Sequence, residues 1–140
     1  MVDTRKIALI TGATSGIGES TAYELANKYS LILCGRNKEK LNQLENNLSS
    51  VTKVITLKFD VRNHKEVSEK ISSLDNSWNN IDLLINNAGN AHGLDFIHEG
   101  DIKDWDMMID TNVKGLLYVT KYVLQSMVKK NSGHIINIGS

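Results

Sequence analysis

Proline is absent from these 140 residues, where about seven would be average, and cysteine occurs once, at Cys34. A lone cysteine excludes an intramolecular disulfide framework and a cysteine-based zinc site. Neither charge predominates: sixteen Lys and Arg offset sixteen Asp and Glu, which leaves no electrostatic footprint for nucleic acid. Aromatic residues are few, with two Trp, four Tyr and two Phe, too few to suggest a base-stacking surface. No apolar run approaches the ~18 residues of a membrane-spanning helix. The first such run, residues 7–10, is cut short by Thr11-Gly12 before it reaches the roughly 7–15 residues of a signal-peptide core. The four histidines, His64, His92, His98 and His134, have no metal-ligand spacing such as H-E-x-x-H, so no metal site is expected. Proline- or serine-rich linkers and charge blocks are also missing. One cytoplasmic domain is the expectation from composition alone.

What is present is alternation. Short apolar runs at residues 7–10, 31–34, 54–59, 81–85 and 135–138 read as strands. Between them, residues 17–29, 38–48, 63–74 and 101–130 carry helical patterns. Leu41, Leu44 and Leu48, for example, lie three and four apart among charged residues, as an amphipathic helix requires. Asn63 is placed to cap the third helix, and Asn131-Ser132-Gly133 to end the fourth, with glycine taking the left-handed conformation common at helix C-termini. Strand alternating with helix predicts an α/β, doubly wound parallel sheet with helices on both faces. Continuous apolar strands fit that arrangement, because both faces of the sheet are then covered.

The ten glycines concentrate the chemistry. Thr11-Gly12-Ala13-Thr14-Ser15-Gly16-Ile17-Gly18 joins the first strand to the first helix. Glycines there permit a tight turn, a close backbone approach to a pyrophosphate and close helix–strand packing. The helix N-terminus adds open N–H groups for phosphate oxygens. A plain strand-to-helix turn is the alternative for these glycines, while a P-loop is excluded because no Gly-Lys-Ser/Thr follows. At the end of the second strand stands Gly35-Arg36-Asn37, with no Asp or Glu. An acid at that place binds the 2′-hydroxyl of NAD, whereas an arginine accommodates the 2′-phosphate of NADP. Arg36 is therefore the expected phosphate clamp, supplemented by Lys38 and Lys40; the plainer reading is a solvated arginine opening the next helix.

Three further motifs follow the glycine turn in order: Asn86-Asn87-Ala88-Gly89, Thr111-Asn112-Val113-Lys114-Gly115 and Ile136-Asn137-Ile138-Gly139-Ser140. Together they resemble the short-chain dehydrogenase/reductase family from about Ile7 onward, and within it the NADP-dependent 3-hydroxy acid and serine dehydrogenase subgroup. The resemblance implies a Rossmann-type sheet, truncated after the fifth strand, that binds NADP through Gly12, Thr14, Ser15, Gly16, Ile17, Gly18, Arg36, Asp60, Val61, Asn87, Ala88 and Gly89. Asp60 would accept from the adenine amino group and Val61 would pack on the ring, although an Asp closing a strand is more often a cap or turn former. Asn86 is expected mainly to brace the sheet. The backbone of Asn112 would hold a water of the proton relay, and the Ser140 hydroxyl would polarise the substrate oxygen. An Asn on a solvated helix face is the alternative for Asn112.

The family's tyrosine acid/base and its partner lysine, which lowers the tyrosine pKa, would lie beyond Ser140. Tyr118 and Tyr122 have the wrong spacing to replace them. The expectation is thus an incomplete NADP-binding domain over residues 1–140, from an oxidoreductase that interconverts alcohol and carbonyl on a small hydroxy or oxo substrate, a 3-hydroxy acid or serine-like compound. The fragment alone should bind cofactor without turnover, its parent being a homodimer or homotetramer. Residues 90–100 should form part of one substrate wall. A non-catalytic NADP(H)-binding sensor or scaffold is the competing reading, since fold does not dictate function.

Overall fold

A computed structural model describes residues 4–139. The elements in chain order are β1 (Lys6–Ile10), α1 (Gly16–Leu25), β2 (Tyr29–Gly35), α2 (Lys38–Leu48), β3 (Val54–Lys58), α3 (His64–Ser72), β4 (Leu83–Asn86), α4 (Ile102–Ile109), a π-helical segment (Asp110–Gly115), α5 (Leu116–Lys129) and β5 (His134–Asn137). The five strands form one sheet in the order β3-β2-β1-β4-β5, every pair parallel. This is the doubly wound α/β architecture that the alternation predicts.

Side-chain alternation along the strands divides the core into two halves, one on each face. Ala8, Ile10, Leu31, Leu33, Leu83 and Ile85 meet Ala22 and Ala26 from the α1 side and Leu41, Leu44 and Leu48 of α2. On the opposite face Ile7, Leu9, Ile32, Cys34 and Leu84 meet Val67 and Ile71 of α3 and Val119, Val123 and Met127 of α5. Leu9, Ile32, Leu33 and Leu84 are fully buried, each contributing about 1.5–3 kcal/mol by leaving water. The three-four spacing of Leu41, Leu44 and Leu48 therefore does what amphipathic spacing implies: it aims one stripe of α2 at the sheet.

Three boundaries depart from the sequence pattern. The first helix stops at Leu25 rather than continuing to Tyr29, because Tyr29 pairs with Lys6 as the first residue of β2. Apolar periodicity does not register that competition from the sheet. The long fourth helix is broken by the π-helical turn, which carries Thr111 and Asn112. At the end of α5 the left-handed residue is Asn131, with φ of 52°, and not Gly133. The Ser132 N–H reaches back to the Met127 carbonyl at 3.1 Å, a six-to-one bond of the kind that closes helices at a left-handed residue. Asn63 caps α3 as expected, its side chain accepting from the Glu66 N–H.

Strands run outward from β1 in two directions, to β2 and β3 on one side and to β4 and β5 on the other. The loops that follow β1 and β4 consequently diverge, opening a crevice at the C-terminal ends of the strands.

Candidate functional site

The glycine turn crosses the mouth of that crevice and is tied down from both sides. The Thr11 N–H donates to the Ile85 carbonyl and the Ala13 N–H to the Cys34 carbonyl, each at 3.1 Å. Gly12 and Gly16 adopt φ of 60° and 54°, a region costly for residues with a Cβ. Gly18 has a different reason to be glycine: a Cβ there would run into the Gly12 carbonyl and the Asn87 side-chain amide. Asn87 itself bolts the turn to the end of β4, its Nδ2 donating to the carbonyls of Thr11 at 3.2 Å and Gly12 at 3.1 Å. In return the Thr11 hydroxyl accepts from the N–H groups of Asn87 and Ala88, both at 3.0 Å. Thr11 is the bracing residue that motif reading leaves out. Its signal is a buried hydroxyl directly after an apolar strand.

Behind this brace lies a cleft of about 920 Å³. Its wall takes in Gly12, Thr14, Ser15, Ile17, Arg36, Asp60, Val61, Asn87 and Ala88, with Gly89 at its far end. Gly16 and Gly18 shape the turn without lining the cleft. Ser140 lies outside the described residues. Ser15 occupies the N-cap position of α1 and lines the cleft, yet makes no side-chain cap bond. The first N–H groups of that helix have no intrahelical acceptor either.

At one end of the cleft, Arg36 makes no side-chain hydrogen bond or ion pair among the described residues, and Lys38 and Lys40 stand beside it on the wall. The Asn37 side chain accepts from the Lys40 N–H at 3.1 Å, so the positive end of α2 opens here too. Asp60 is engaged by its neighbour Arg62. Arg62 Nε lies 3.1 Å from each carboxylate oxygen and Nη2 lies 2.7 Å from Oδ2. The Arg62 guanidinium holds the Asp60 carboxyl below its ordinary range, with a smaller contribution from the charge of Arg36. Val61 is buried against Gly115 of the π-helical turn, where a Cβ would stand 2.7 Å from its Cγ2.

The other end is braced internally. Asn112 donates to the Asn90 carbonyl at 2.8 Å and accepts from the Asn90 N–H at 2.9 Å. The Asn90 side chain in turn donates to the Thr111 hydroxyl at 3.2 Å. The Asn112 side chain is therefore a clamp on the loop after β4 rather than a freely solvated amide. Asn86 spans the sheet as expected, donating to Thr120 Oγ1 at 2.9 Å and Asn137 Oδ1 at 3.0 Å. Tyr118 and Tyr122 of α5 lie against His64 of α3, with the Tyr122 hydroxyl 2.7 Å from His64 Nε2; neither lines the cleft. Cys34 is fully buried and burial pushes its thiol pKa up, as for a small core residue. Among the described residues no group of three or more His, Cys, Asp and Glu could hold a metal ion. No described helix is long and apolar enough to cross a membrane.

Glycine turn and Asn-Ala-Gly loop thus meet around one crevice, which Asn112 does not line but touches through its bonds to Asn90, and residues 6–140 match the family described as short chain dehydrogenase. The chain belongs to that family. Among curated proteins it is 47% identical over 135 residues to an NADP-dependent 3-hydroxy acid dehydrogenase of Salmonella typhi, covering 96% of this chain and 54% of that protein. It is 43% identical over 136 residues to sulfoacetaldehyde reductase 2 of Chromohalobacter salexigens, with the same coverage. The closed form of a serine dehydrogenase complexed with NADP+ superposes with a TM-score of 0.88 at 45% identity, covering 96% of this chain and 54% of that one. This short-chain dehydrogenase chain spans about half the length of the curated relatives it matches. Its own residues suit a phosphate-bearing dinucleotide: Gly12, Thr14 and Ser15 line the cleft where α1 begins, and Arg36, which makes no hydrogen bond or ion pair among the described residues, lines it after β2.

Proposed function

We propose that this chain is the NADP(H)-binding part, residues 1–140, of an oxidoreductase acting on the alcohol or carbonyl group of a small 3-hydroxy acid or serine-like compound. The observation that carries the cofactor choice is Arg36, which closes β2 in place of an acid and has no ion-pair partner among the described residues. A guanidinium so placed offers forked donors to a 2′-phosphate, whereas an acid there would repel it. The relatives named as NADP-dependent and as serine dehydrogenase support both cofactor and substrate class.

In this reading Gly12, Gly16 and Gly18 admit the pyrophosphate to the N-terminus of α1, where Thr14, Ser15 and Ile17 flank it. Arg36 takes the 2′-phosphate, Asp60 and Val61 take the adenine, and Asn87, Ala88 and Gly89 line the path toward the nicotinamide. When bound, the nicotinamide supplies or accepts the hydride. Asn112 holds the loop after β4 with its side chain, leaving its backbone to position a water. Ser140 orients the substrate oxygen. Tyr118 and Tyr122 are turned to His64 and do not line the cleft, so neither serves as the acid/base in this reading. The whole protein acts as a cytoplasmic homodimer or homotetramer.

Separate titrations of the chain with NADPH and NADH test the proposal. Tighter binding of NADPH is expected; equal or tighter binding of NADH overturns it.

A further inference from the structure

We propose that Arg62 is a positioning residue for cofactor choice, holding the Asp60 carboxylate so that Arg36 remains open for a 2′-phosphate. This rests on the NADP(H) reading and adds to it a residue outside the cleft wall. Arg36 and Asp60 both line the cleft and follow the paired ends of β2 and β3, where the Phe59 N–H donates to the Gly35 carbonyl at 3.0 Å; an arginine facing a bare carboxylate at short range pairs with it. Such a pair would occupy the phosphate clamp and leave a negative charge where the phosphate must enter. Arg62 removes both obstacles. Its Nε and Nη2 engage both carboxylate oxygens at 2.7–3.1 Å, and its own N–H donates to Asp60 Oδ1 at 3.0 Å.

Charge at the two residues supports the same division of labour. The Asp60 carboxyl is lowered chiefly by Arg62 and only in small part by Arg36. Asp60 is also pinned independently of Arg62, because its N–H donates to Glu66 Oε2 at 2.9 Å. Asp110, the other acid whose charge reaches Arg62, has Lys114 at 3.4 Å. Replacing the partly exposed Arg62 side chain therefore opens no core cavity and strands no second charge.

The experiment measures dissociation constants of the chain for NADPH and NADH in the wild type, Arg62→Gln, Arg62→Lys and the double variant Asp60→Asn/Arg62→Gln, with thermal melts to verify folding. Arg62→Gln should lower the NADPH-over-NADH preference about five- to tenfold, the scale of one ordinary hydrogen bond, mainly by weakening NADPH. Arg62→Lys should keep most of the preference. The double variant should restore it, since Arg36 then has no carboxylate to pair with. Loss of the Asp60–adenine contact falls on both cofactors and cancels in the ratio. An unchanged preference in a folded Arg62→Gln, or no recovery in the double variant, overturns the role of Arg62. A wild type without NADPH preference overturns the cofactor reading instead.

Discussion

The two ends of the cleft use polar groups in opposite ways. At the end formed by the glycine turn, β2 and α2, the Ser15 hydroxyl makes no cap bond and Arg36 has no described ion-pair partner, so donors face the cleft. At the end formed by β4 and the π-helical turn, the amides face each other: Asn112 holds Asn90, Asn90 holds Thr111, and Asn86 reaches Thr120 and Asn137. The difference separates capture from framing. An end with open donors can grip an anion by itself, whereas an end whose amide N–H groups are engaged internally fixes backbone positions, even though the Asn86 and Asn90 side-chain oxygens are buried there without a partner among the described residues. Asn87 joins the two, since its side chain reaches from the β4 loop to the carbonyls of the glycine turn.

The contrast breaks most completely at Gly18. Gly18→Ala places a methyl group against the Gly12 carbonyl and the Asn87 amide, and overpacking of that kind costs about 1–3 kcal/mol. Because the clash pushes the turn off its seat, calorimetric titration should find NADPH binding lost and melting should find a lower midpoint. Arg36→Ala removes the open donor alone: NADPH should bind roughly tenfold or more weakly, NADH should change less than twofold, and the melting midpoint should hold. Thr11→Val strikes the brace. It leaves two N–H groups, of Asn87 and Ala88, without their acceptor, at a cost of about 1–3 kcal/mol for each in denaturant unfolding, with a smaller loss of NADPH affinity than Arg36→Ala. Asn112→Ala should have the least effect on binding. Hydrogen exchange at the Asn90 amide should accelerate while NADPH affinity stays within about twofold, the loss being one modest hydrogen-bonded clamp. A large affinity loss in Asn112→Ala would mean that the framing end also grips the cofactor.

Much of this molecule is readable in advance because its signals are local. The alternation of apolar runs, the leucine stripe of α2, the Asn63 cap and the glycine-rich turn each lie within a dozen residues or fewer. Arg36 is legible for the same reason: what matters is the residue type directly after a strand. Thr11 was not legible, since its partners Asn87 and Ala88 lie 76 and 77 residues away. Nor was the engagement of Asp60, where the pattern suggested a cap or turn former, the family resemblance implied an adenine contact, and the structure adds the Arg62 fork. The break in the long helix at Asp110–Gly115 was hidden because its flanking apolar periodicity is continuous.

By itself, then, the sequence determined the order of strands and helices up to the π-helical break, the glycine-rich turn and the absence of an acid at the end of β2, all properties of neighbouring residues. Only the tertiary structure decided that Tyr29 starts a strand, that Asn87 and Thr11 lock two loops together, and that the Asn112 amide serves as a clamp. Each of those outcomes is a choice among partners distant in the chain, and only the assembled sheet brings the competing partners within hydrogen-bonding range.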